Sequence, residues 1–98
     1  MNKDQVIAIL RQNEAELHRR GVKHAALFGS VARGEAGPNS DIDILIELEP
    51  DPQRSFYVHM GVKRFVAELF PGRVDVVNRQ ALKPGLAAPV EKDMLHAF

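Results

Sequence analysis

Two aspartates separated by one residue, Asp41 and Asp43, open the stretch DIDILIEL, and the dipeptide Gly29-Ser30 stands ten intervening residues upstream of Asp41. A strand has a side-chain period of two and a rise of roughly 3.3 Å per residue, so the two carboxylates share a face about 7 Å apart along the backbone. Like charges held that close repel, and one takes a proton unless a cation neutralises the pair. Hard oxygen ligands favour magnesium or manganese. Gly29-Ser30 follows a short apolar run, VKHAALF. A strand that ends in glycine and turns into a helix offers unpaired backbone N–H groups to an anion, and the missing side chain lets a phosphate approach. A phosphate cradle beside a metal-binding carboxylate pair suggests a nucleoside triphosphate held by its tail. Asp75, flanked by Val74 and Val76, is placed to supply a third carboxylate that touches a second metal and helps take the proton of an attacking hydroxyl.

These residues need a sheet to bring them together. Val6, Ile7, Leu10 and Leu17 fall at helical spacing over residues 3 to 20, and Gly21 stands where that helix would stop. Val22 to Phe28 reads as a strand largely buried on both faces, Ser30 as the N-cap of a short helical turn, and Gly37-Pro38-Asn39-Ser40 as a loop. In the strand from Asp41 to Leu48, Ile42, Ile44, Ile46 and Leu48 form one apolar face. Residues 54 to 70 return to helical period, with Val62, Phe65, Val66 and Leu69 as a core stripe. Arg73 to Asn78 reads as a third strand, and the remainder as a weaker helical pattern broken by Pro84 and Pro89. Together these predict one α/β (α+β) domain spanning residues 1–98, a small mixed sheet flanked by helices.

Composition narrows the function. Thirteen basic residues balance thirteen acidic ones, which argues against a dedicated nucleic-acid binder with its basic excess. The absence of cysteine removes disulfides, Cys-zinc sites and thiol catalysis. Neither a signal peptide nor a membrane-spanning run is legible, and a cytoplasmic location is expected. His18, His24, His59 and His96 lack metal-ligand spacing, and Glu47 lies too far along its strand to join Asp43 at one ion.

The segment GSVARGEAGPNSDIDILIE resembles the signature of the DNA polymerase β-like nucleotidyltransferase superfamily and, more narrowly, of the minimal nucleotidyltransferases. The likeness extends over most of the chain, including Arg33-Gly34 after the turn and the RVDVVN strand. It implies that Gly29 and Ser30 bind the triphosphate of ATP, that Asp41 and Asp43 bind two Mg2+ ions, and that Asp75 completes an acidic triad. Arg33, near the turn, would add charge to the phosphate site. It further implies a minimal nucleotidyltransferase fold and a role as antitoxin to a HEPN-domain RNase, by transfer of AMP from ATP to a tyrosine hydroxyl of that toxin. The small size agrees, since an acceptor that brings its own surface needs no additional domain here.

Two other readings use the same residues. One is a module of this fold that neutralises a toxin by covering it, without chemistry. The other is a transferase with a small-molecule or RNA acceptor. An exposed sheet edge would also allow pairing of the chain with itself.

Overall fold

A computed structural model describes residues 1–37, 40–50, 56–83, 85 and 90–98, the side chains of Phe56 and Tyr57 excepted. Pro38 and Asn39 of the expected loop, the expected helix start at residue 54, and the breaks at Pro84 and Pro89 lie outside the described residues. The chain runs α1 (Lys3–Gln12), α2 (Glu14–Arg19), β1 (Val22–Phe28), α3 (Gly29–Arg33), β2 (Ile42–Leu48), α4 (Phe56–Glu68), β3 (Val74–Asn78), a 3-10 turn (Arg79–Ala81) and β4 (Leu95–His96). The strands form one mixed sheet of order β3-β2-β1-β4, in which β1 is antiparallel to β2 and β4 and β2 is parallel to β3.

The single helix expected over residues 3 to 20 is two helices. Asn13 separates them because its side-chain amide donates to the Ile9 carbonyl at 2.8 Å, while its backbone N–H turns to Leu10 at 3.1 Å. A short amide side chain competes in this way with the helical ladder. A capping box starts α1: the Asn2 side chain accepts from the Gln5 N–H, and the Gln5 side chain accepts from the Asn2 N–H, each at 2.9 Å. Gly21, at φ 95°, ends the second helix as expected.

The core lies between the helices and one face of the sheet. Val6, Leu10 and Leu17 from α1 and α2, and Val62 and Val66 from α4, pack with Val22, Leu27, Ile44 and Ile46. Phe65 and Leu69 of the expected stripe are only half-buried, and Phe70 closes the core beside them. The strand β1 is buried on both faces from Ala25 to Leu27, as expected, while Lys23 and His24 near its start are exposed. Its register shifts between Val22 and His24. That bulge lets Val22 and Ala25, three residues apart, point to the same core face.

The remainder after Asn78 differs most from the expected helical pattern. Residues 90–92 are helical, but Leu95 and His96 form an edge strand on β1. The end of the chain is held by Ala97 N–H on the Ala25 carbonyl, at 2.9 Å, and by Arg11 Nε on the Ala97 carbonyl, at 2.8 Å. Among the described residues no helix is long and apolar enough to cross a membrane.

Ile44, with no exposed surface in the central strand β2, is the place to test this packing. Ile44→Ala should lower stability by about 2–5 kcal/mol and Ile44→Val by about 0.5–1.5 kcal/mol, read from urea unfolding curves.

Candidate active site

The face of the sheet opposite the core carries the acids. Strand pairing sets Phe28 of β1 across from Asp43 of β2, and Asp43 level with Asp75 of β3. Paired residues on adjacent strands share a face, so Phe28, Asp43 and Asp75 form one row across three strands. Asp41 directly precedes β2 and is exposed, as is Asp75, whereas Asp43 is partly buried. The sheet therefore brings together the three aspartates and the turn at the end of β1, as the sequence predicts.

Gly29 is fixed by that row. It has φ 76°, a conformation that costs an L-residue roughly 1–2 kcal/mol. A Cβ built on it would overlap Asp43 Oδ2 and stand 3.0 Å from Asp43 Cγ. Only a residue without a side chain admits the carboxylate here. Ser30 is not the N-cap that the sequence suggests: α3 begins at Gly29, Phe28 occupies the cap position, and no side-chain cap is made. Ser30 is instead the second helical residue, with an N–H that has no acceptor within a helix so young.

Electrostatics reflect the crowding. Burial pushes the Asp43 carboxyl above its ordinary value of 3.8, and the neighbouring charges of Asp75 and Asp41 push the same way, against a smaller opposing pull from Arg33. This deficit of positive charge fits a divalent cation, as do the hard carboxylate oxygens that surround it. Among the described residues no three of His, Cys, Asp and Glu converge as ready metal ligands. The trio as folded is an acidic array rather than a closed cage.

Arg33 is held on the flank of the site by two carboxylates. Its Nε donates to Glu35 at 2.9 Å and its Nη1 to Asp93 at 3.1 Å, so it acts on Asp43 only through its charge. Arg73 makes no ion pair with Asp75 among the described residues. Glu47 is engaged by Arg79, at 3.4 Å, and by His24, at 3.8 Å. Arg79 also bonds Glu91. Arg33 and Arg79 thus tie the segment around residues 91–93 to the flank of the acid-bearing face, a role that no periodicity in the sequence signals. Of the histidines, His18 is raised above its usual value, first by the Val22 carbonyl and then by Glu14, while His59 is lowered by burial and by Lys63.

The model of the nucleotidyltransferase domain family matches residues 4–95. The chain is 33% identical over 94 residues to the protein adenylyltransferase MntA of Thermococcus cleftensis, covering 95% of this chain and 93% of that protein. It is similar to a solved minimal nucleotidyltransferase structure, with TM-score 0.78 and 30% identity, over 97% of this chain and 95% of the other. A toxin-antitoxin crystal structure with AMP-PNP shares the fold, at TM-score 0.69 and 22% identity, over all of this chain and 73% of that one.

Two substitutions test the geometry independently of any activity. Because the folded state raises the Asp43 pKa, the acid form stabilises the fold below pH 3.8, and that contribution is lost as pH rises through the folded value. In buffer containing a chelator, Asp43→Asn should therefore raise Tm at pH 7 by a few degrees, and the gain should vanish below pH 3.8. Gly29→Ala should lower stability by about 1–3 kcal/mol, and by less when Asp43 is also made Ala, since only the φ strain then remains.

Proposed function

The chain belongs to the nucleotidyltransferase domain family, and we propose that it transfers AMP from ATP to a tyrosine hydroxyl of a HEPN-domain toxin, acting as that toxin's antitoxin. The activity class is a nucleotidyltransferase, as in its adenylyltransferase relatives. The observation that supports it is the row formed by the Gly29 backbone, in the turn just past the end of β1, with Asp43 of β2 against it and Asp75 level with Asp43 on β3.

In this reading Gly29 and Ser30 present backbone N–H groups to the triphosphate, where the absent side chain leaves room for phosphate oxygens. Asp41 and Asp43 would hold Mg2+, with Asp75 completing the acidic set. Magnesium, when bound, supplies positive charge at the α-phosphoryl group and at the departing pyrophosphate. Asp75, exposed at the far side of the row, accepts the proton of the acceptor hydroxyl, whose free pKa is about 10. The oxygen–phosphorus bond to AMP forms as the bond to pyrophosphate breaks, in line. Arg33 contributes through its charge. The described surface includes the exposed Val58 and Met60 of α4, which are available to a protein partner.

Incubation with ATP, Mg2+ and the product of the neighbouring gene, followed by intact-mass measurement, tests the proposal. Added adenylate masses on the partner, lost by more than about a hundredfold in rate in Asp43→Asn, are the expected result. A complex that forms without a mass change would establish covering without chemistry, and modification only of an added small molecule or RNA would move the acceptor to that class.

A further inference from the structure

Among the described residues, Arg33 is the cation whose charge opposes the crowding of acids at Asp43, and it belongs to the same short helix as Gly29 and Ser30. Its guanidinium is already engaged twice. Glu35, two residues along, accepts from Nε at 2.9 Å, and Asp93 accepts from Nη1 at 3.1 Å. The second contact joins residues 60 positions apart. The Asp93 side chain has no other hydrogen bond or ion pair among the described residues, so its carboxylate is given to Arg33 alone.

The sheet explains how Asp93 comes to be there. β4 runs antiparallel to β1, with Leu95 level with Leu27 and His96 level with Ala26. The residues that precede Leu95 therefore lie toward the end of β1 where Gly29 begins the turn. β2, which carries Asp43, flanks β1 on its other side. The turn is thus bracketed by Asp43 on the side of β2 and by Asp93 on the side of β4. Arg33 serves both, the first through its charge and the second through a hydrogen bond.

This arrangement spends the cation. One guanidinium between two carboxylates leaves a net negative group beside a turn read above as the seat of a triphosphate. The hold is weak, however, because the Arg33 and Asp93 side chains are 41% and 31% exposed, and ion pairs open to water to that degree contribute little. A guanidinium meets phosphate oxygens through two parallel charge-assisted hydrogen bonds, which are stronger. We infer that Asp93 competes with the nucleotide for Arg33: the carboxylate from the far end of the chain holds the guanidinium, and a triphosphate arriving at the Gly29 turn takes it over. Linkage is reciprocal, so nucleotide loosens the grip on Asp93 by the same factor. The segment around residue 93 is then left to the Glu91–Arg79 pair and to the two pairings of β4. This inference rests on the transferase reading above and adds to it a residue outside the acidic row that sets nucleotide affinity.

The experiment is calorimetric titration of the full chain with Mg2+ and α,β-methylene-ATP, which cannot release pyrophosphate. Asp93→Asn should tighten binding by about threefold, and Arg33→Gln should weaken it by about tenfold. In the Arg33→Gln background, Asp93→Asn should change nothing, since the contested group is gone. Glu91→Gln, which removes an acid from the same segment but one paired with Arg79, should leave affinity as in the wild type. An unchanged affinity in Asp93→Asn would overturn the inference. So would a weakened one, because Asp93 would then orient Arg33 toward phosphate rather than withhold it. A gain that persists without Arg33, or that Glu91→Gln reproduces, would also overturn it, by reducing Asp93 to a general repulsion of anions. Absence of binding by the wild-type chain and by Asp93→Asn alike is the separate result that would remove the nucleotide reading itself, and the inference with it.

Discussion

The Asp43 carboxylate lies against the backbone of Gly29, and the acid-bearing end of the molecule is built around that approach. The oxygen needs a neighbour without a Cβ, and the turn needs a residue tolerant of positive φ. One glycine answers both demands. The approach also removes part of the carboxylate from water beside two other acids, an arrangement that no pressure for stability alone would retain. Its persistence depends on a sheet stiff enough to hold like charges near one another.

That stiffness comes from the central pair of strands. β1 and β2 bury Ala25, Leu27, Ile44 and Ile46 on the core face, while Ala26 and Leu45 are buried on the acid-bearing face. The parallel register that sets Asp43 level with Asp75 then fixes the height of the third acid. On the flank, Arg79 reaches Glu47 and Glu91, and Arg33 reaches Glu35 and Asp93. Individually such exposed pairs contribute little. Together they fix where the chain around residues 91–93 crosses, and so which part of the acid face stays open.

Much of this was legible in residue order. The alternation in DIDILIEL marks both the central strand and the face that bears Asp43, and the helical stripe of Val62 and Val66 marks the helix that covers the other face. Three features were hidden because they rest on single residues or distant partners. Asn13 breaks a periodic helix through one side-chain hydrogen bond. Leu45 stands on the face expected to be polar but is buried, and it shares a small cavity with Met94, nearly fifty residues on. The strand β4 spans two residues, too few for any alternation to register. At the candidate site, the types and spacing of Gly29, Asp41, Asp43 and Asp75 announced their meeting. The diversion of Arg33 to Asp93 did not show, since its partner lies sixty positions away.

The position of β3 at the end of the sheet order has a separate consequence for solubility. Its sequence is Val-Asp-Val-Val-Asn, and its outer edge has no strand partner among the described residues. β-branched edges of this kind recruit other chains unless a charge interrupts them. Asp75 is that interruption. An apolar replacement would therefore expose an adhesive ribbon as well as remove a carboxylate, and loss of function would be confounded with clumping. Asn, which keeps the polarity and the shape, is the replacement that separates the chemistry of this residue from its guardianship of the edge.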